Sequence, residues 1–538
     1  MRKNFSIQKT ETTNVLKLYT YVRKKYTYTA LLESLGEYDP ETARYCIIGV
    51  LADQILYEKD GEHYVKELPQ NTCYKVEDWT KILDDWTCEE RDDASPLQLG
   101  TIGYVGYENL IYFENMKIEY RKTSKCPQIF LVHYSLLYVY DRLGNQGYWV
   151  KANHISKDVV DELESAFVKE DTKQEDFYTI GDAEADFTYD DYIRSINQCV
   201  DYIKRGDIFQ ANITMRYHGR YQGDPFILYE ELRKTTPNPY FAFFDFEFPF
   251  ISTSPEGFLK VSDQTISSRP IKGTVRCVID GKDQKDFLLG STKNIAENVM
   301  ITDLIRNDIG RISEIGTVDV PKLCALKTFN NLYHLETVVE GRLKKDVSMS
   351  KILKTNFPGG SITGAPKVRA LEIINELEFA DRGPYCGAIG FWGERGYLNT
   401  SIGIRVIYFD ADHYYLHAGG GITAKSDAVD EYDELILKIE RLLSALKQYN
   451  VLAECRQRLD QVDLEILKLF EKRFSIIQEV KEIKEQYQIP AMQESRVNDM
   501  LRRRFDMIET GELNLSKSFV QKLLEIVVEE AMNIENEK

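Results

Sequence analysis

The sequence is short of several things at once, and each shortage excludes a class of protein. No apolar run approaches 18 residues, so no membrane span is predicted. The opening Met1-Arg-Lys-Asn-Phe-Ser leads into polar sequence rather than an apolar core, so no secretion signal is expected and the predicted location is cytoplasmic. Basic residues are in deficit: 68 Lys and Arg against 86 Asp and Glu give a net charge of −18. That balance argues against nucleic acid or an anionic membrane as partner. Any anionic substrate must instead be met by a few cations gathered locally. The nine cysteines are scattered, with no C-x-x-C pair. They read as reduced thiols, not as a disulfide framework or a zinc site.

Glycine and proline run out part-way along the chain. Of 32 glycines, 31 lie before residue 450, and the last 88 residues hold only Gly511 and Pro490. Such a shift predicts a domain boundary near Tyr449-Asn450. A length of 538 residues already exceeds what one core organises, so two or more domains are expected. Before the boundary, apolar and aromatic runs such as Gln128 to His133 and Tyr240 to Phe244 read as strands. They alternate with helical patterns such as Lys367 to Leu377 and Glu431 to Leu446. The predicted class is α+β with large sheets.

After the boundary the pattern is helical throughout. Leu459, Val462, Ile466, Leu469, Arg473, Ile476, Val480 and Ile483 recur at alternating spacings of three and four, which is a heptad seam. The helix is predicted over 451–488, roughly 57 Å long at 1.5 Å per residue. Two shorter helices follow, over 494–509 and 515–536. A segment of this size cannot bury so long a helix alone, so a second subunit is expected to cover the seam and make a homodimer.

Arg473 stands inside that apolar seam, where a guanidinium costs several kcal/mol unless it is paired or binds an anion. Lys484 lies about 20° away around the helix and shares the face, whereas Arg456 lies about 100° off and points to a different site. Arg496 follows on the second helix, and Glu535 aligns with Leu524, Val528 and Ala531 on the third. Four cations around a bundle interior suit a small dicarboxylate; the alternative is that Arg456, Lys484 and Arg496 are solvated surface charges. These positions, with Pro490 at the turn, resemble the all-helical chorismate mutase family over about 451–538. The resemblance implies that Arg456 (from across a dimer), Arg473, Lys484, Arg496 and Glu535 clamp the carboxylates and ether oxygen of chorismate during a Claisen rearrangement. Such a reaction needs orientation and electrostatic stabilisation but no covalent step. Three positions depart from that family. Val497 stands where typical members carry the Glu that accepts from the substrate's C4 hydroxyl, Gln493 replaces a frequent acid, and Ala531 a polar residue. The stretch from Ile489 to Val497 is instead similar to the 4-amino-4-deoxychorismate mutases, which act on the C4-amino analogue.

The larger segment carries its own chemistry. Phe357-Pro-Gly-Gly360 and Ser361-Ile-Thr-Gly-Ala-Pro-Lys367 lead small residues into a helix, an anion-ready arrangement. Gly419-Gly-Gly421 after a strand offers backbone N–H groups to a carboxylate. Glu297, Glu431 and Glu434 are candidate metal ligands, the last two on one helix face at i, i+3; oxygen-only ligands favour Mg²⁺. Together these stretches resemble the chorismate-utilising enzymes, meaning anthranilate synthase, aminodeoxychorismate synthase and isochorismate or salicylate synthase. Similarity is dense over about 187–445. The implied fold is a large two-layered α/β synthase, with 1–185 as its N-terminal half, 186–447 as the chorismate-binding catalytic half, and 451–538 as the mutase-type domain. Leu31-Leu-Glu-Ser34 and Arg44-Tyr45 resemble a motif that can line a tryptophan site in relatives; a structural role is expected here.

Within that family two positions discriminate. Gln210 stands where water-using members carry a Lys base, which implies an ammonia user. Lys272, in Arg269-Pro-Ile-Lys-Gly-Thr274, stands where anthranilate synthases carry Ala, and resembles the aminodeoxychorismate synthase subgroup. The resemblance implies that Lys272 attacks C2 while the C4 hydroxyl leaves, that Glu256 assists the leaving group, and that ammonia then adds at C4. It further implies Mg²⁺ on Glu297 and Glu434, carboxylate contacts from Thr363, Lys367, Arg405 and Gly419, Gly420 and Gly421, and His334 beside the ring. Asn294 and Phe391 depart from the family's usual acid and Tyr. No Gly-x-Cys-x-Gly elbow occurs, so ammonia is expected from a separate glutamine amidotransferase subunit or from free ammonium.

The expected function is therefore bifunctional: chorismate to 4-amino-4-deoxychorismate, then to 4-amino-4-deoxyprephenate. The alternatives are a helical domain that makes prephenate from chorismate itself, an anthranilate synthase with an atypical Lys, or a helical domain that only dimerises or regulates.

Overall fold

The computed structural model describes residues 5–36, 41–87, 96–114, 116, 121, 123–166, 176–279, 282–329, 332–451, 453–490 and 494–536. The chain divides into two compact units, Met1–Val451 and Leu452–Lys538.

The first unit is built on one large sheet whose ladders are antiparallel. The strand Ile129–Asp141 pairs with Tyr45–Lys59 on one side and with Gly100–Val105 and Gln146–Ala152 along the other. Tyr240–Asp245 joins the early strands to the later ones, pairing with Thr29–Glu33 and with Phe250–Ser254. Its aromatic run shows why the sheet reads as strands yet not as simple alternation. Phe241 and Phe243 belong to one buried cluster, with Tyr19, Trp149 and Leu435. Ala242 and Phe244 belong to a second cluster, with Phe130, Phe250 and Trp392. Successive side chains leave a strand on opposite faces, so both faces of this sheet are covered and every position can be apolar. The predicted α+β class with a large sheet is the class observed.

Two helices bring acidic groups to the sheet. In Thr292–Ile312, Ile301, Ile305, Ile309 and Ile312 are buried along one face, and the helix packs on the strand Leu332–Arg342. In Ala428–Gln448, Leu435, Ile439, Leu442 and Leu446 do the same against His413–Ile422. Spacings of four, four and three in the first and of four, three and four in the second make each a single apolar stripe, and each buried Leu or Ile contributes about 1.5–3 kcal/mol. Asp427 starts the second helix by accepting from the amides of Val429 and Asp430. That cap fixes where Glu431 and Glu434 fall.

The second unit contains three helices, Ala453–Gln486, Glu494–Glu509 and Lys517–Asn536; the first and second each pack on the third. Ile477, Val520 and Val527 are buried between them. The heptad seam is not. Leu459 is 62%, Leu469 66% and Ile483 53% exposed, because the face that packs within the chain is the one carrying Ile477.

Candidate active site

Lys272 is set by a bulge. In the strand Ile271–Arg276 it faces Leu335 of Leu332–Arg342, and the register slips between Lys272 and Thr274. Gly273 takes the left-handed φ of 64° that such a slip requires. The Lys272 Nζ donates to the Ser361 carbonyl at 3.3 Å. Burial holds its ammonium below the usual lysine value, and the carboxylates of Glu256, Glu297 and Glu434 pull the other way, while the Lys438 ammonium adds to the lowering. Lys272 therefore stands among three acids and one further lysine.

Glu256 is 6% exposed. Burial raises its carboxyl above the ordinary value, against Lys272, the Ser361 side chain, the Ile271 amide and Arg405. Its own backbone is fixed, since its amide donates to Ser254 Oγ at 3.3 Å and its carbonyl accepts from the Ile402 amide at 3.1 Å. Arg405, at φ 54°, has its carbonyl held by the Thr253 amide and hydroxyl, both at 3.0 Å. Burial, then the neighbouring Arg441, pushes its guanidinium down to about 10. His334, on the strand beside Lys272, is buried and pushed down to about 4 by burial, then Arg405 and Lys327. It is neutral at neutral pH.

A second wall comes from the strand Gln210–Gly223. Gln210 and Ala211 pair with the short strand Gly364–Ala365, and the Asn212 amide donates to the Thr363 carbonyl at 2.7 Å. Gln210 Oε1 is buried with no hydrogen-bond partner among the described residues. A Cβ on Gly421 would lie 2.3 Å from Gln210 Nε2, so the glycine is what lets that side chain in. Gly419, Gly420 and Gly421 lie inside the strand His413–Ile422 rather than after it. They pair with Thr214, Ile213 and Asn212. The Gly419 carbonyl accepts from Lys438 Nζ at 2.8 Å. Gly419, and by alternation Gly421, thus turn their peptide groups away from the partner strand.

The acidic groups come from the two helices. Glu434 binds Lys438 at 2.8 Å. Burial works against it, but Lys438, Lys293 and Lys272 hold its carboxyl below the ordinary value. Glu431 accepts from Ser426 Oγ at 2.6 Å and lies 3.6 Å from Lys293 Nζ. It sits over Gly420, where a Cβ would be 3.0 Å from its Oε2. Glu297 Oε1 is buried with no hydrogen-bond partner among the described residues, and burial raises its carboxyl. Among the described residues no three acidic, histidine or cysteine side chains already converge as a metal centre. The donor chemistry nevertheless fits a hard divalent cation: three carboxylates with lysines beside them, one with an orphaned oxygen.

Other predicted positions are more occupied. The Lys367 ammonium is taken by Asp308 at 2.7 Å, both about one-tenth exposed. The Thr363 hydroxyl donates to the Gly359 carbonyl at 3.0 Å. Phe391 lines a separate cavity with Leu32, Glu33, Ser34 and Tyr240, away from Lys272. There Glu33 accepts from Tyr229 and from Arg233 at 2.8 Å, and Ser34 Oγ donates to the Tyr45 carbonyl at 2.9 Å. Sequence reading missed Lys438, Lys293 and Arg441, and named Ser361 only as part of its anion-ready run. Lys438 was findable, since it follows Glu434 by one helical turn; the others converge only through the fold.

In the helical unit, Arg473 Nη1 reaches the Val527 carbonyl at 3.4 Å, and burial lowers its guanidinium. Lys484 is half-buried on the same helix, Arg496 is exposed and Val497 half-buried. The side chains of Arg456 and Glu535, and the whole of Gln493, lie outside the described residues.

Residues 39–444 match the model of the chorismate binding enzymes. The chain belongs to that family. Residues 455–536 match chorismate mutase type II. The aminodeoxychorismate synthase component 1 of Escherichia coli is 35% identical over 66% of this chain and 78% of its own length. That of Bacillus subtilis is 32% identical over 75% of this chain and 89% of its own. The crystal structure of anthranilate synthase component I from Streptococcus pneumoniae superposes with a TM-score of 0.66 at 29% identity, covering 76% of this chain and 93% of that one. This is a chorismate-utilising synthase with a chorismate mutase domain. Among the described residues no helix is long and apolar enough to cross a membrane.

Proposed function

We propose that the large unit aminates chorismate at C4 and that the helical unit rearranges the product to 4-amino-4-deoxyprephenate. The observation that carries the first step is Lys272, half-buried with its Nζ on the Ser361 carbonyl at 3.3 Å and beside the buried Glu256, whose carboxyl burial raises. The neutral Lys272 amine attacks C2, the ring double bonds shift, and the C4 hydroxyl leaves as water with a proton from Glu256. Ammonia then adds at C4, the double bonds shift back, and the Lys272 nitrogen departs from C2. Chorismate and ammonia go in; 4-amino-4-deoxychorismate and water come out. An anthranilate product would need nitrogen at C2, where Lys272 itself bonds in this scheme.

Arg405 and the Gly419 and Gly421 peptides face the anionic groups of the substrate, and neutral His334 lines the ring without adding charge. Gln210 Oε1 offers an acceptor where a lysine would supply a base to water. Glu297 and Glu434, with Glu431 beside them, would hold Mg²⁺, which when bound supplies positive charge to the ring carboxylate. Ammonia comes from a glutamine amidotransferase subunit, as component I of aminodeoxychorismate synthase normally pairs with one, or from free ammonium.

For the second step, Arg473, Lys484, Arg496 and Arg456 supply cations and Glu535 a donor to the ether oxygen. Val497 leaves the C4 substituent without a carboxylate acceptor, which favours the amino analogue over chorismate. The seam left exposed on Ala453–Gln486 is covered by the second copy of a homodimer. The match to chorismate mutase type II supports a second reading, in which chorismate itself is rearranged to prephenate. Purified protein given chorismate, Mg²⁺ and ammonium separates these. Products identified by mass and NMR should be C4-aminated. Anthranilate would sink the first step, and prephenate formed without ammonium would replace the second.

A further inference from the structure

Three lysines stand among the carboxylates of Glu297, Glu431 and Glu434, and they are held differently. Lys272 is half-buried and donates to the Ser361 carbonyl at 3.3 Å. Lys438 is anchored twice, to Glu434 Oε1 and to the Gly419 carbonyl, both at 2.8 Å. Lys293 is the loose one. It touches Glu431 at 3.6 Å, beyond hydrogen-bond reach, and its side chain is 48% exposed while that of Glu431 is 5% exposed. It also acts on Glu297 and Glu434. Its position is unfavourable for the helix itself. Lys293 is the second residue of Thr292–Ile312, where the dipole disfavours a cation and the Ser291 cap already serves the Asn294 amide. What draws Lys293 inward is the acidic group, not the helix.

We propose that Lys293 is a displaceable counter-ion: it neutralises Glu431, Glu297 and Glu434 when no divalent cation is present, and swings to solvent when one binds. This rests on the reading of those glutamates as the cation site. Charge counting supports it. With Lys272 neutral, as the proposed reaction requires, Lys293 and Lys438 leave the three carboxylates one positive charge short; a divalent cation added to that set leaves one surplus positive charge inside the site. Release of Lys293 removes it. Lys438 cannot serve as the leaving cation without also freeing the Gly419 carbonyl. Among the described residues Lys293 has no second anchor, and its half-exposed side chain has a short path to water.

The test is a Mn²⁺ titration of the full-length protein without substrate, followed by the EPR signal of free Mn²⁺ and by calorimetry. Lys293→Met should tighten binding roughly threefold to tenfold, the worth of a half-exposed ion pair of about 1 kcal/mol. Lys293→Arg, which keeps the charge, should leave the affinity close to native. Glu297→Gln and Glu434→Gln report on the cation site itself. If they weaken binding but Lys293→Met binds no tighter than native, the counter-ion role is wrong and the cation site stands. If they bind as native does, or if no form binds Mn²⁺, both ideas fall.

Discussion

The Lys272 Nζ donates to the Ser361 carbonyl oxygen at 3.3 Å. The Ser361 side chain in turn acts on Glu256, opposing the rise that burial gives its carboxyl, so one residue of the turn Gly360–Ile362 stands beside both the proposed nucleophile and the proposed acid. If Lys272 forms the covalent adduct, Lys272→Ala should lower C4 amination by at least about a hundredfold, and Lys272→Arg should not rescue it. Native protein quenched with chorismate in the absence of ammonium should gain the mass of a dehydrated substrate. A Lys272→Ala variant that aminates C4 at the native rate would remove the adduct from the mechanism.

The same pair sets a pH profile. Burial lowers Lys272 and raises Glu256 relative to their ordinary values. The reactive form has a neutral amine and a protonated acid. Its population falls at low pH as Lys272 takes a proton, and at high pH as Glu256 loses one. The profile of kcat/KM with ammonia held saturating should be bell-shaped, with its alkaline limb below the free-lysine range. In Glu256→Gln the remaining activity should keep rising to the Lys272 value and show no alkaline fall of this origin. An unchanged alkaline limb would assign it to another group.

Behind the substrate wall, Arg382 is 1% exposed and binds Glu378 through two nitrogens at 2.7 and 2.9 Å. It also donates to the Ile362 carbonyl at 2.8 Å and the Asn212 carbonyl at 2.6 Å. Arg382→Ala takes the cation from the buried Glu378 carboxylate, which keeps only a neutral donor in the Thr214 amide at 2.8 Å among the described residues, and the donor from two carbonyls, so it should cost about 3–5 kcal/mol of stability in denaturant unfolding. A loss under 1 kcal/mol would mean that water replaces the guanidinium.

How far the sequence could be read differs between these features. Glycine depletion and a heptad seam are local patterns, so a helical segment after residue 450 was legible. The mixed class was legible because strand runs such as Phe241 to Phe244 are short and aromatic, yet a sheet covered on both faces hides which side each residue serves. Gly419 to Gly421 read as a loop because glycine is a poor strand former; the strand survives because Glu431 and Gln210 fill the space those side chains would take. Lys367 read as a free cation because nothing in sequence links it to Asp308, 59 residues away. Lys293 and Lys438 went unnoticed because lysine near glutamate on a helix usually means a solvated face.

Val497 gives the sharpest prediction for the helical unit. Substituting Val497→Glu supplies the carboxylate that would accept from a C4 hydroxyl. If the native site is built for the amino analogue, the variant should gain activity on chorismate, and the ratio of kcat/KM for the two substrates should shift toward chorismate by about tenfold or more. Arg473→Ala should abolish rearrangement of either substrate and leave C4 amination unchanged. A native protein already more active on chorismate, and unmoved by Val497→Glu, would favour the prephenate reading.

The exposed seam makes a separate prediction. Leu459 and Leu469 are more than 60% exposed within one chain, and Ile466 and Ile483, also in the seam, are 43% and 53% exposed. A stripe of this kind does not stay in water when a second copy can cover it. Sedimentation equilibrium of the native chain should give a dimer. Leu469→Asp should yield a monomer, because a charge at the centre of the paired seam costs several kcal/mol in each copy. If the dimer also completes the rearrangement site through Arg456, the monomeric variant should lose mutase activity while C4 amination, which belongs to the other unit, persists. A Leu469→Asp protein that remains dimeric would place the contact on a different face, and a native chain that is monomeric at micromolar concentration would leave Arg456 no partner site to serve.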